Sequence, residues 1–326
     1  MARDMNPDIV SAIARLRATN VLDSGPGALF DRVARRQLVS VRFEVRVLLY
    51  LGVLLLASGV GLLVAEHHRE IGPLAIAAAI ALAVAASFFW LMRKGPAFAW
   101  GEVEPPNVAF DYILLLGLLL FASELAYVEV QFTVLGPSWA YHLLLVGVVY
   151  LLAAYRWDSR TVLGLALTTL AAWRGVSLSL IAGSLGPGDE SVLRFDAILL
   201  GGLYVAAAAL SVRWARKSHF EGVFANTGLV LLLGGLVSGA LEDESGWVAW
   251  LAALLVVAGA VMWRSFRLGR ALYFVQGIVA AYIGLLRFLF EPFRPTLSSI
   301  PFLLASLLGI AVLALTFAAH RRMRER

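Results

Sequence analysis

Ionisable residues sit deep inside largely apolar stretches of this chain, and two of them stand out. Arg174 lies in "TLAAWRGVSLSL" (Thr169–Leu180) and Glu124 in "FASELAYVEVQF" (121–132). In lipid, an ionised side chain at mid-depth costs about 2.5–3.5 kcal/mol on the insertion scale. Such groups pair with one another, reach a polar medium, or serve a ligand or proton path. Arg174 lies thirteen residues after Thr161, and Glu124 thirteen after Asp111. At about 1.5 Å per helical residue both rise roughly 20 Å from one boundary. The spacing therefore predicts a Glu124–Arg174 ion pair. The alternatives are an arginine that snorkels to the nearer headgroups and an uncharged Glu124.

Glu124, Tyr127 and Gln131 recur at i, i+3, i+7 and share one helix face. A second seam runs through Tyr273, Gln276, Ala280, Gly284 and Arg287. Gln276, like Asn226, reads as a hydrogen-bonding partner for a neighbouring helix, and Arg287 as an anchor near the outer boundary. The candidate intramembrane polar site is thus Glu124, Arg174, Tyr127, Gln131, Gln276 and Arg287. A transporter would line a path with Glu124, Arg174 and Gln276. A structural role, paired or snorkelled, is the competing account.

Other chemistry is poorly supplied. The chain has no cysteine, which excludes thiol catalysis, iron–sulfur clusters and cysteine zinc sites. No HExxH, GxSxG, GxxxxGK[ST] or strand-borne GxGxxG occurs. In "EHHRE" (Glu66–Glu70) the adjacent His67 and His68 diverge by about 100° on a helix, so headgroup contact explains them better than a metal ion. No catalytic residue, cofactor or metal is expected. "YRWDSR" (Tyr155–Arg160) reads as a tight turn in which Asp158 bridges Arg156 and Arg160.

The elements that must hold these residues follow from composition. Of 326 residues, 60% are hydrophobic and only 15% charged, and mean hydropathy is +0.82. A soluble chain carries about 25% charged residues. Ten runs are long enough for a hydrocarbon core of about 30 Å: Val45–Ala65, Pro73–Met92, Tyr112–Val134, Trp139–Tyr155, Thr161–Gly183, Ala197–Val212, Phe220–Ala240, Trp247–Trp263, Ala271–Phe290 and Ile300–Ala319. Trp90, Trp139, Trp157, Trp214, Trp247 and Trp263 fall near run ends, as interfacial tryptophans do.

Residues 1–43 form a polar, arginine-rich module with two short amphipathic helices (Asn6–Arg17 and Ala28–Leu38) and no signal-peptide core. Residues 44–320 form the bundle and 321–326 a basic tail. With the N-terminus in the cytoplasm, cytoplasmic segments hold twenty-two Lys and Arg against three in outer loops. That asymmetry predicts an inner-membrane protein with both termini cytoplasmic. The basic residues are dispersed between apolar runs, which argues against nucleic acid despite a net charge of +5. Gly235 and Gly239, four apart, permit a close helix contact within the chain or in a homo-oligomer. "FDYILLLG" (Phe110–Gly117) and "FDAILLGG" (Phe195–Gly202), like "AAWRG" (Ala171–Gly175) and "AVMWRS" (Ala260–Ser265), echo one another. The echo reads as chance among leucine-rich spans or as an inverted repeat of transporter type.

The segments "VRFEVRVLLYLGVLLLASGVGLLVAEHH", "FDYILLLG" and "AYRWDSRTVLGLALTTLAAWRGV" resemble a bacterial family of predicted multi-pass membrane proteins, domain of unknown function 2157. The resemblance covers roughly the first 180 residues. It implies an integral membrane protein with a short cytoplasmic N-terminal module, and no reaction.

The expectation is an all-α polytopic transmembrane bundle of about ten spans with a short helical N-terminal module. Two functions stay open. One is a secondary transporter or solute/lipid translocator. The other is a scaffold or sensor acting on a partner through residues 1–43.

Overall fold

The computed structural model describes residues 72–182, 190–242, 246–291 and 300–324, with isolated helical positions between Leu48 and Glu66. The chain divides into two compact units, Met1–Glu66 and His67–Arg326, and the second contains every helix whose full extent is described. The N-terminal module, most of the first expected span, "HHRE" (His67–Glu70) and the segment 183–189 lie outside the described residues.

Most helices begin or end where the sequence supplies a cap. α1 (Pro73–Lys94) opens on a proline, whose fixed φ suits the first turn, and closes on Arg93 and Lys94 beside its unpaired carbonyls. α2 (Val108–Phe132) starts where the Asn107 side chain accepts the Phe110 N–H at 2.9 Å. A turn at Gly136–Ser138 leads to α3 (Ala140–Trp157), which ends at Asp158 in the left-handed region, φ 58°. Ser159 Oγ accepts the Val162 N–H at 3.4 Å, and α4 (Arg160–Ala182) follows at once. α5 (Glu190–Arg213) and α6 (Glu221–Glu242) are joined through a short turn at Ser218–Phe220. α7 (Trp247–Leu268) stops at Gly269, φ 67°, before α8 (Ala271–Phe290). α9 (Ile300–Arg324) completes the described chain.

Helices α1 to α8 are each long and apolar enough to cross a membrane, and α9 carries a shorter apolar stretch, Leu303–Thr316. Leu74, Leu82, Val130, Leu199 and Val256 are all more than 70% exposed. An apolar outer surface of this extent needs lipid around it. The protein is an all-α, multi-pass membrane protein. Its helix ends alternate: the 95–107, 158–159, 214–220 and 269–270 connections share one arginine-rich end of the bundle.

Two cores hold the helices together. One gathers Leu91, Phe110, Leu118, Val146, Leu163 and Phe220 from α1 to α4 and the α5–α6 connection. The other gathers Leu236, Leu251, Leu254 and Ala280 from α6, α7 and α8. α6 contributes to both, and half of its spanning window is buried. Glycines allow its backbone to touch α5: a Cβ on Gly228 would lie 2.8 Å from the Gly201 carbonyl oxygen and 2.9 Å from Val205 N. Gly235 and Gly239 also make their contacts inside the chain, against Ile198 and the Trp250 ring.

The arginine-rich end is closed by a buried ionic cluster, and here the expected turn differs in its partners. Asp158 does not bridge its neighbours Arg156 and Arg160. Its Oδ1 meets Lys217 Nζ at 3.0 Å and His219 Nε2 at 2.5 Å, and its Oδ2 accepts the Val103 N–H. The three side chains are almost wholly buried. Arg156 instead donates to the Pro96 carbonyl at 2.7 Å and Arg160 to Glu102 at 2.6 Å. The reason is the left-handed φ of Asp158, which turns its carboxylate inward, across to the α5–α6 connection. The contacts at Pro96, Glu102 and Val103 tie residues 95–107 to the ends of α3 and α4.

Candidate functional site

The polar residues within the spans do not converge on one point. Arg174 pairs with Asp196 through Nε, at 3.2 Å, and Nη2, not with Glu124. Arg174 lies eight residues before the end of α4 and Asp196 six after the start of α5. At about 1.5 Å per residue both lie roughly 10 Å below the same helix ends. Asp196 escapes the sequence reading because the expected span begins at Ala197. The helix begins at Glu190 instead and draws Arg194 and Asp196 into the bundle. Arg194, which precedes the expected span, is buried, with Glu242 at 3.5 Å and Trp250 beneath its guanidinium.

Among the described residues, Glu124 Oε2 and the Tyr127 hydroxyl are buried without a hydrogen-bond partner, as is Trp173 Nε1 on α4. An unmade hydrogen bond of this kind costs about 1–3 kcal/mol. Gln131 is exposed near the end of α2. Gln276 donates to Asn226 Oδ1 at 2.6 Å and so joins α8 to α6, as its depth suggested; its Oε1 is left unpaired. Arg287 is buried rather than set at the surface. It bonds Glu291 at 2.8 Å and the Leu241 carbonyl, and lies over Trp247. A guanidinium there satisfies a carbonyl of the last turn of α6.

The chemistry-bearing space lies elsewhere. A cavity of about 630 Å³ opens between α2, α3 and α4. Its walls are Leu119, Ala122, Leu125, Leu143, Val146 and Leu165, with Tyr150 and Thr169 at its depth and Glu129, Trp139 and His142 at one end. Tyr150 lies ten residues into α3 and Thr169 nine into α4. Leu165 lies only five residues into α4, so the cavity runs from the arginine-poor end past mid-bundle, to within about 8 Å of the opposite end of α4. Ala126, Val130 and Trp139 are not buried, so it is open sideways, at membrane depth. Glu124 is on α2 amid these wall residues but does not line the cavity.

The polar end is built by one carboxylate. Glu129 accepts the Leu135 N–H at 2.9 Å and the Gly136 N–H at 2.8 Å, which fixes the turn after α2. His142 Nδ1 stands 3.7 Å from Glu129 Oε2, and the two side chains are 16% and 14% exposed. Deeper in, the Tyr150 hydroxyl donates to the Leu118 carbonyl at 2.9 Å, and Thr169 is the other polar residue at that depth. Sequence reasoning passes over Glu129 and His142 because each sits at a span end. Their one signal is position: the loop between their helices, 133–139, is short enough to bring both ends together.

Among the described residues no group of three His, Asp and Glu could hold a metal ion. Residues 18–174 match the model of a family described as Predicted membrane protein (DUF2157). Over those residues, a little under half of the chain, the sequence is similar to that family. The match spans α1 to α3 and most of α4, hence every wall of the cavity. No curated protein and no solved structure matches the chain.

Proposed function

We propose that the protein binds a lipid-like amphiphile in the cavity between α2, α3 and α4, as a lipid or solute translocator of the bacterial inner membrane does. The observation that carries this is the cavity itself: about 630 Å³, mostly apolar along its length, open sideways, with its carboxylate and imidazole at one end. That volume falls inside the range of roughly 300–1,000 Å³ usual for small-molecule sites. An acyl chain entering from the bilayer fits the apolar depth. A polar head is then left beside Glu129, Trp139 and His142 at the interface. The arginine-rich end faces the cytoplasm in this reading, because positive charge is retained there during insertion. The cavity then serves the outer leaflet.

The reading departs from a central path through Glu124, Arg174 and Gln276. Two of those side chains are engaged by Asp196 and Asn226 on different helices. The test is photocrosslinking in vesicles with a phospholipid carrying a photoactivatable acyl chain. Adducts are expected on Leu143, Val146 and Leu165, and Ala126→Trp, which fills the side opening, should remove most of them. Adducts spread evenly over the lipid-facing Leu199 and Val256 would show ordinary solvation and refute the proposal.

A further inference from the structure

A second cavity, independent of the first, lies at the arginine-rich end among α5, α6, α7 and α8. It holds about 150 Å³. Val205 and Ala209 of α5 form an apolar side, and Glu221, Arg264, Ser265 and Tyr273 bring polar groups to it. Its charge balance is uneven. Glu221 is bound by Arg270, which also donates to the Tyr273 hydroxyl at 3.4 Å. The hydrogen bond to Glu221 raises the Arg270 pKa above its ordinary value, and the Arg270 guanidinium is occupied by that carboxylate. Arg264 has no ion pair, hydrogen bond or ring contact among the described residues. By contrast, Arg267 lies over Trp263 at 4.0 Å and Arg287 is clamped at the far end of α8.

The cavity therefore presents one uncompensated guanidinium beside two hydroxyls, at an end already rich in Arg and Lys. Planar guanidinium recognises phosphate through paired N–H donors. Basic recesses between spanning helices bind anionic headgroups in the same way. We infer that this cavity is a phosphate-binding site, with Arg264 as its principal ligand and the Tyr273 and Ser265 hydroxyls beside it. Its apolar side at Val205 and Ala209 suits a phosphate that carries a glyceride. The shared chemistry is a phosphate anion, from an anionic phospholipid or free in solution.

The test uses the full chain purified in a neutral detergent. Short-chain phosphatidylglycerol, short-chain phosphatidylcholine and inorganic phosphate are titrated separately, and the concentration giving half the maximal rise in melting temperature is read. Phosphatidylglycerol is expected to act at least about tenfold below phosphatidylcholine, the equivalent of one charge-assisted hydrogen bond. Arg264→Gln should weaken it by about tenfold. Lys94→Gln, which removes an exposed charge at the same end but away from the cavity, should change it less than about twofold. Ala209→Phe, which fills the apolar side and leaves Arg264 in place, should weaken it as well. A saturable, Arg264-dependent rise with inorganic phosphate alone assigns the site to the free anion. Equal responses to the two lipids, equal losses in Arg264→Gln and Lys94→Gln, or wild-type binding by Ala209→Phe would each overturn the inference.

Discussion

Asp158→Asn is the sharpest probe of how the arginine-rich end is held. Asparagine keeps the shape of aspartate and tolerates the left-handed backbone at φ 58°, so the change removes charge and little else. Lys217 is then left without a counter-charge: its side chain is 1% exposed and Asp158 is its only carboxylate among the described residues, its other contacts being the Gly101 carbonyl at 3.4 Å and the Phe98 and Phe220 rings. Breaking a buried pair by removing one partner costs about 3–5 kcal/mol, because the other charge stays buried. Asp158→Asn/Lys217→Met removes both charges and should recover a large part of that loss. The Val103 N–H, which donates to Asp158 Oδ2, is the local reporter. Hydrogen exchange followed by mass spectrometry on the detergent-purified chain should show residues 95–107 exchanging much faster in the single variant, with a lower melting temperature. The double variant should fall between it and wild type. An unchanged exchange rate at 95–107, or a double variant less stable than Asp158→Asn, would refute the account.

Two further outcomes rest on contacts inside the spans. Arg174→Asp and Asp196→Arg should each lower the melting temperature, and the double exchange should restore most of the loss; no recovery in the double would show that the pair is not what holds the α4–α5 hairpin. Gly228→Val should prevent the close α5–α6 approach and abolish a monodisperse peak on size exclusion, since its Cβ would meet the Gly201 carbonyl and Val205 N below 3.0 Å; an unperturbed peak would show that the two helices are further apart than described.

The bundle is legible because lipid imposes a length and a composition on every span, and α1, α4 and α8 begin within a residue of their expected starts. Side-chain partners are less so. The α5 start is the clearest case: "GDESVLRFD" is polar, and hydropathy leaves it outside the membrane. The helix nevertheless runs through Arg194 and Asp196, because each finds an opposite charge on a neighbouring helix. Asp158 shows the same limit. Flanking arginines suggest local pairing, whereas the backbone turn directs the carboxylate to His219, 61 positions away. Gln276 and Asn226 are readable because an amide deep in a span has few other options. The cavities are not readable at all, since empty space between helices leaves no periodic trace in any one of them.

The internal echo bears on whether the two cavities are variants of one device. In "FDYILLLG" Phe110 is 1% exposed and packs on Trp90, from the helix before its own. In "FDAILLGG" Phe195 is 57% exposed and packs on Trp250, from two helices after its own. Asp196 binds Arg174 on the preceding helix. A true repeat would place equivalent residues against equivalent helices; these fall in unlike surroundings, so shared letters do not mark shared positions. The cavities differ accordingly. The larger is walled by α2, α3 and α4, opens sideways and has the Glu129 carboxylate at its end, while the smaller lies among α5 to α8 and carries a guanidinium, Arg264, unpaired among the described residues. Both α5 and α6 pack into the first core and line the second cavity. Coupling between an amphiphile in the first cavity and a phosphate in the second therefore has two direct routes, α5, which is tied to α4 by Arg174–Asp196, and α6, which packs into both cores. The glycine-lined α5–α6 contact is the place where a shift of that helix meets the least side-chain resistance.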